Sequence, residues 1–286
     1  MNATKTALRR LAWRTSILLA WLGFGLRKYV LLDCDDTIVL TEEPAFQACS
    51  TVVNKMLTSK GVTTAFTGAS LMQRFVGYSF RRIACDLAAE HSFSFGTIEV
   101  TQDNAAALQR HYGVELTPGT SFDELEFLVK MEEDAVIAKL AKDVKPTQGV
   151  EAAITWLAAH YGVAVVSSSA LRRVIACLTA IGVDKFFGDK VFSAASLAVP
   201  SSKPDPAVYL HTLKVLGVRA KDCVAVEDSR TGVLAAVAAG IAVLGYVGAL
   251  PPEAQAQRSR VLREAGAFDV ISDWSQLQLA LSNRVA

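Results

Sequence analysis

The chain has 286 residues, 51% of them hydrophobic and 20% charged, with a formal net charge of +1. That apolar fraction supports a folded core and excludes a disordered chain, and the length leaves room for one large domain or two modest ones. No basic block occurs beyond the N-terminus, so a nucleic-acid surface is not expected. The five cysteines lack C-x-x-C spacing, which argues against a zinc site or disulfide framework and suits a reducing, cytoplasmic compartment.

Residues 1–27 carry Lys5, Arg9, Arg10, Arg14 and Arg27, and no acid precedes Asp33. Their apolar stretch, Thr15 to Leu26, is shorter than the ~20 residues of a spanning helix, so no stable membrane span is expected. Three readings compete: a mitochondrial-type presequence, a secretory signal, and a simple extension. The secretory reading lacks a small-x-small cleavage site.

From Lys28 onward, short apolar runs alternate with helical patterns, as in a parallel sheet covered by helices. Strands are predicted at Tyr29–Leu32, Val163–Val166, Lys190–Phe192, Cys223–Val226, Ile241–Tyr246 and Phe268–Ile271. Three of them run into polar residues: Asp33, then Ser167, then Glu227 and Asp228. Ligands of open parallel sheets bind beyond the carboxyl ends of strands, so these ends are expected to share one crevice. Ser169 is predicted to cap a helix that runs through Ile181 and stops at Gly182. Gly240 is predicted to end the alanine-rich segment from Gly232 to Ala239.

About 100 residues separate the first two strands, too many for one crossover or a structureless loop. Their pattern is helical. In Asp123–Lys142, Leu125, Leu128, Val136 and Leu140 fall near one face, and Glu126 is spaced to pair with Lys130. The predicted organisation is an N-terminal extension over 1–27, an α/β core over 28–43 and 146–286, and an α-helical insertion over 44–145.

The chemistry is concentrated in four segments. Val30-Leu31-Leu32-Asp33-Cys34-Asp35-Asp36-Thr37 drives an apolar strand into three carboxylates. Taken alone, this fits a solvated acidic turn as well as a cation site, since crowded carboxylates favour a neutralising cation and hard oxygen donors suit magnesium. Ser167-Ser168-Ser169 offers a hydroxyl and backbone N–H groups at a helix start, which suits phosphate or simple capping. Ser201-Ser202-Lys203-Pro204-Asp205-Pro206 holds a lysine on a proline-stiffened loop. Val224-Ala225-Val226-Glu227-Asp228-Ser229 ends a further strand in two acids.

In this order, the four segments resemble the four motifs of the haloacid dehalogenase superfamily. The similarity spans Tyr29 to about Tyr246 and is strongest to the branch of sugar-phosphate and phosphoglycolate phosphatases and β-phosphoglucomutase. The resemblance implies a Rossmann-like parallel sheet with an inserted α-helical cap, and a magnesium-dependent phosphatase acting on a small phosphorylated metabolite. It assigns Asp33 as nucleophile and Asp35 as general acid and base. It places Mg2+ on the carboxylates of Asp33 and Asp228, on the backbone carbonyl of Asp35, and through a water on Glu227. Ser167, the N–H of Ser168, and Lys203 would hold the phosphoryl oxygens. One departure is Asp36, which stands where the family commonly has glycine; aspartate tolerates the left-handed backbone better than most residues.

Other readings stay in view. Dehalogenation is disfavoured because relatives with that activity lack the acid at the position of Asp35. A phosphonate hydrolase would need a cap lysine, for which Lys55 and Lys60 are the candidates. A phosphomutase is weakened because Ala45 and Phe80 stand where the mutase has histidine and arginine. A non-enzymatic phosphate-binding protein is opposed by the retention of every chemical group. Gln47, Tyr78, Arg81 and Arg82 are the cap residues expected either to select the leaving group or to be ordinary solvated side chains.

Overall fold

A computed structural model describes residues 28–75 and 78–284. The expectations for residues 1–27, and for Val76 and Gly77, lie outside the described residues. Strand β1 (Tyr29–Leu32) leads through a tight loop to β2 (Val39–Leu40). There follow α1 (Glu42–Ser59), α2 (Gly68–Phe75), α3 (Phe80–Glu90), β3 (Thr97–Glu99), α4 (Gln102–Tyr112), β4 (Ser121–Asp123) and α5 (Glu124–Asp143). Next come β5 (Lys145–Pro146), α6 (Val150–His160), β6 (Gly162–Ser167), α7 (Leu171–Ala180), β7 (Val191–Ser193) and α8 (Ala207–Leu216). The chain ends with β8 (Cys223–Glu227), α9 (Arg230–Ala238), β9 (Ala242–Tyr246), α10 (Pro252–Glu264), β10 (Asp269–Ile271) and α11 (Leu277–Arg284). Two compact units result: residues 41–144, and the segments on either side of them.

The larger unit is built on a six-stranded sheet of order β10-β9-β8-β1-β6-β7, and every pairing in it is parallel. This is the α/β class predicted from the sequence, with the α-helical insertion between β2 and β5. Parallel strands buried on both faces read as unbroken apolar runs rather than alternating ones. Val30, Leu31 and Leu32 of β1 are accordingly buried, as are all six residues of β6. Leu31, Ala164, Val166 and Ala225 pack against Val208, Tyr209, Val233 and Leu262 from α8, α9 and α10 on one face. The chain steps outward through β6 and β7 on one side of β1, and through β8, β9 and β10 on the other. The order therefore reverses at β1, the place where such sheets bind ligands.

Helix ends show where local chemistry agrees with the sequence and where it is overridden. Gly182 (φ 71°) and Gly240 (φ 77°) follow α7 and α9 in the left-handed conformation that glycine adopts at little cost. Ser169, in contrast, does not cap α7. That helix starts at Leu171 after Ala170, with no side-chain cap, because the Ser169 hydroxyl is engaged elsewhere.

The inserted unit has its own core, in which Val52, Val53, Met56 and Leu57 of α1 meet Phe75, Ile83, Leu87 and Leu128. Gly68 permits a close approach, since a Cβ there would lie 2.9 Å from the Gln47 backbone. Asp123 caps α5 by accepting from the Glu126 N–H at 2.9 Å. Glu126 pairs with Arg81 at 2.7 Å and not with the predicted Lys130, because a tertiary partner competes successfully with the local one. The insertion is also not wholly helical, as β3 and β4 form a short antiparallel pair. Among the described residues, no helix is long and apolar enough to cross a membrane.

Candidate active site

The site begins where β1 ends. The Asp33 N–H donates to Val226 O at 3.0 Å, extending the ladder to β8 by one residue and fixing the Asp33 backbone. The loop then turns through Asp36, which adopts φ 53°, the left-handed conformation expected for it. Its N–H donates to Val39 O at 2.7 Å, closing the turn.

Lys203 is the hub of the buried polar groups. Its Nζ donates to Asp33 Oδ1 at 2.6 Å, to Glu227 Oε1 at 2.6 Å and to Val166 O at 2.8 Å. An ammonium has three donors, and all three are used. The Lys203 N–H also donates to Ser168 Oγ at 3.1 Å, tying its loop to the end of β6. Burial alone would push the Lys203 pKa down; Asp33 and Glu227 outweigh it and hold the amine well above its ordinary value.

Glu227 is fully buried, and its Oε1 accepts from Lys203 and from the Tyr209 hydroxyl. Its other oxygen, Oε2, has no hydrogen-bond partner among the described residues. That oxygen is seated against α9, where a Cβ on Gly232 would lie 1.7 Å away. An alanine at this position would therefore have to displace the Glu227 carboxylate from its bonds to Lys203 and Tyr209.

Asp33, Glu227 and Asp228 offer carboxylate oxygens all within 4.8 Å of one another. Two of these acids, Asp33 and Glu227, share the one Lys203 ammonium. Burial, with Glu227 and Asp35 adding to it against the pull of Lys203, raises the Asp33 carboxyl to about 8. Burial, with Asp33, Glu227 and Asp36 adding to it, raises Asp228 well above the usual carboxylate range, with Arg258 opposing them. Arg258 Nη1 lies 3.9 Å from Asp228 Oδ2 and donates to its backbone oxygen at 3.1 Å. Surplus buried acid, hard oxygen donors and the orphaned Glu227 Oε2 together fit a divalent cation of the magnesium type.

Asp35 is held separately. Its Oδ1 accepts from Arg173 Nη2 at 2.8 Å, and its Oδ2 from Ser169 Oγ at 2.8 Å. Ser167 Oγ makes a longer contact to Oδ2 at 3.4 Å and accepts from the Ser169 N–H at 3.0 Å. The β1, β6 and β8 ends and the Lys203 loop thus form two bonded groups, Lys203 with Asp33, Glu227 and Ser168, and Asp35 with Ser167, Ser169 and Arg173, while Asp228 lies beside the first. Tyr209, Gly232, Arg173 and Arg258 are participants that sequence reasoning missed.

Three of the four predicted selector residues, Gln47, Arg81 and Arg82, have polar partners within the insertion. Arg81 pairs with Glu126, and Arg82 Nε lies 2.9 Å from Asp86 Oδ1. Gln47 donates to Glu43 at 3.1 Å, while Tyr78 is half exposed. Lys55 donates to Tyr112 O at 3.0 Å, and Lys60 is paired with Glu124 at 2.6 Å.

Comparisons with known proteins agree with this architecture. The segments shared with two Arabidopsis thaliana relatives cover only 27% and 24% of those proteins. The chain is 23% identical to a 6-phosphogluconate phosphatase of Escherichia coli over 76% of this chain and 81% of that protein. It is 35% identical to a β-phosphoglucomutase of Mycobacterium bovis over 42% of this chain and 44% of that one. A crystal structure of a haloacid dehalogenase-like protein from Agrobacterium tumefaciens superposes with a TM-score of 0.61 at 26% identity, covering 91% of this chain and all of that one. The haloacid dehalogenase-like hydrolase family model matches residues 28–240, encompassing the whole acid-and-lysine cluster and the inserted unit, and the chain belongs to that family.

Proposed function

We propose that the chain is a magnesium-dependent phosphatase that hydrolyses a small phosphorylated metabolite through an aspartyl phosphate on Asp33. The observation that carries this reading is the buried bridge from Lys203 to Asp33 and Glu227, beside Asp228 and at the switch point of the sheet. It sets a nucleophilic carboxylate beside a fixed positive charge, as phosphoryl transfer requires.

In the first step, an Asp33 oxygen attacks phosphorus while the bond to the leaving oxygen breaks. Asp35 gives that oxygen a proton. In the second step, Asp35 takes a proton from water, which attacks phosphorus and restores the Asp33 carboxylate. Ser167, the Ser168 N–H and Lys203 hold the phosphoryl oxygens, the lysine by turning one of its three donors from a present partner to phosphate. Asp33, Asp228, the Asp35 carbonyl and, through water, Glu227 would hold Mg2+, which when bound neutralises phosphate charge and the clustered acids.

A sugar, polyol or hydroxy-acid phosphate is the substrate class we favour, supported by the likeness to 6-phosphogluconate phosphatase across most of both chains. A mutase is the second reading, given the mycobacterial likeness. Against it, Phe80 is packed in the apolar core of the insertion and supplies no cation. Imine chemistry is disfavoured by the engagement of Lys55 and Lys60 in structural contacts. Free cysteines, four of the five buried, suit a cytoplasmic setting. The test is turnover of p-nitrophenyl phosphate: exhaustive chelation should abolish it and added Mg2+ restore it. Undiminished turnover by the chelated enzyme would contradict the reading.

A further inference from the structure

The first turn of α7 carries Arg172 and Arg173 and no acid. Cations at a helix N-terminus oppose the helix dipole, which favours anions there. A basic pair in this position carries a local cost, and the structure shows what offsets it for Arg173. Its guanidinium reaches back across the end of β6 to Asp35 Oδ1 at 2.8 Å. Both side chains are about a quarter exposed, so the pair is partly shielded from water.

The second carboxylate oxygen is held from the same side. Ser169 Oγ donates to Oδ2 at 2.8 Å, and Ser169 is itself anchored, because its carbonyl accepts from the buried Ser193 hydroxyl at 2.7 Å. Two donors from one short segment therefore fix the plane of the Asp35 carboxylate. Asp33, Glu227 and Asp228 form the tight acidic group, and Asp35 is not part of it. Repulsion from those acids would bias an untethered Asp35 carboxylate toward rotamers that point away from them.

We propose that Arg173 is a positioning residue that, with Ser169 as a second arm, holds the Asp35 carboxylate in the orientation from which it serves the leaving oxygen. This rests on the assignment of Asp35 as general acid and base. Arg173 acts through Asp35 and contributes no bond to the transferring phosphoryl group. Its effect must therefore follow the need of the leaving group for a proton, and must vanish when Asp35 can no longer supply one.

A double-mutant cycle tests this with two probes, phenyl phosphate and the more activated p-nitrophenyl phosphate. Arg173→Ala should lower kcat for phenyl phosphate by about tenfold to a hundredfold, within what general acid–base assistance supplies. The loss for p-nitrophenyl phosphate should be smaller, with KM for both nearly unchanged. Arg173→Lys should recover part of the loss, and Ser169→Ala should reproduce its leaving-group dependence. On an Asp35→Asn background, Arg173→Ala should cost less than about a further twofold. A full multiplicative loss on that background, or a loss expressed mainly in KM, would overturn the proposal and place the guanidinium on the substrate. If Arg173→Ala does not fold, cycles built on Arg173→Lys and Ser169→Ala distinguish the same two outcomes. Wild-type rates in Asp35→Asn itself would instead overturn the acid–base assignment, an outcome distinct from failure of the Arg173 proposal.

Discussion

Two regions of the molecule set a lysine against a buried carboxylate at 2.6 Å, and they differ in charge balance. In the inserted unit Lys60 meets Glu124, one cation with one anion, with Phe93 and Phe95 within 6 Å of the ammonium. In the core Lys203 meets both Asp33 and Glu227, with Asp228 close to both. The first pair is neutral in itself and can serve structure alone. The second is short of positive charge, and its Glu227 Oε2 is left without a partner among the described residues. Burial of an ion pair is thus no sign of function; a buried surplus of one sign, at the carboxyl ends of parallel strands, is the informative feature.

Substitutions should separate the two regions by kind of effect. The largest change is expected from Asp33→Asn, where a nearly isosteric amide keeps the packing but is no nucleophile. Turnover should fall by at least ~10⁴-fold in undeamidated protein whose melting transition remains cooperative. Gly232→Ala comes next, because the new methyl must displace the Glu227 carboxylate. Calorimetric titration should show magnesium binding weakened by about tenfold to a hundredfold. Chemical denaturation should show stability reduced by about 1–3 kcal/mol. Unchanged magnesium affinity would mean that Glu227 does not contribute to the cation site.

Lys60→Met should do the reverse. It takes the ammonium from the buried Glu124, leaving it the Tyr112 hydroxyl, and should lower stability by about 2–3 kcal/mol, less than for a wholly buried pair because Lys60 is 21% exposed. Its kcat on p-nitrophenyl phosphate should stay within about twofold of wild type. The smallest effect is expected from Tyr209→Phe, which removes one donor from Glu227 Oε1 while leaving Lys203 on it. A stability loss of about 1–2 kcal/mol should accompany a fall in magnesium affinity smaller than that of Gly232→Ala.

What the sequence made legible follows from which signals are local. The six core strands announce themselves as short apolar runs, and three of them run straight into Asp33, Ser167 and Glu227. If those strands are parallel, their carboxyl ends then place the acids on one side of the sheet. Asp36 could be assigned a left-handed backbone because that preference is a property of the residue itself. Tyr209 was missed because a tyrosine inside an amphipathic helix reads as core, and only the fold brings its hydroxyl to Glu227. Gly232 sits in an alanine-rich helix where nothing nearby in sequence explains it; its reason is a carboxylate from the preceding strand. Arg173 did leave a signal, a cation in the first turn of a helix, but Ser169 drew attention as a cap instead. The β3–β4 pair was unreadable because strands of three residues with mixed polarity show no period.

The central claim, that Asp33 carries the phosphoryl group between two half-reactions, is tested most directly by trapping it. Asp35→Asn enzyme mixed with p-nitrophenyl phosphate and magnesium, then quenched in acid, should release a burst of nitrophenol and retain phosphate. Peptide mass spectrometry should place one phosphoryl group on Asp33. Phosphate on another side chain, or continued turnover with no phosphorylated enzyme at any quench time, would contradict the account.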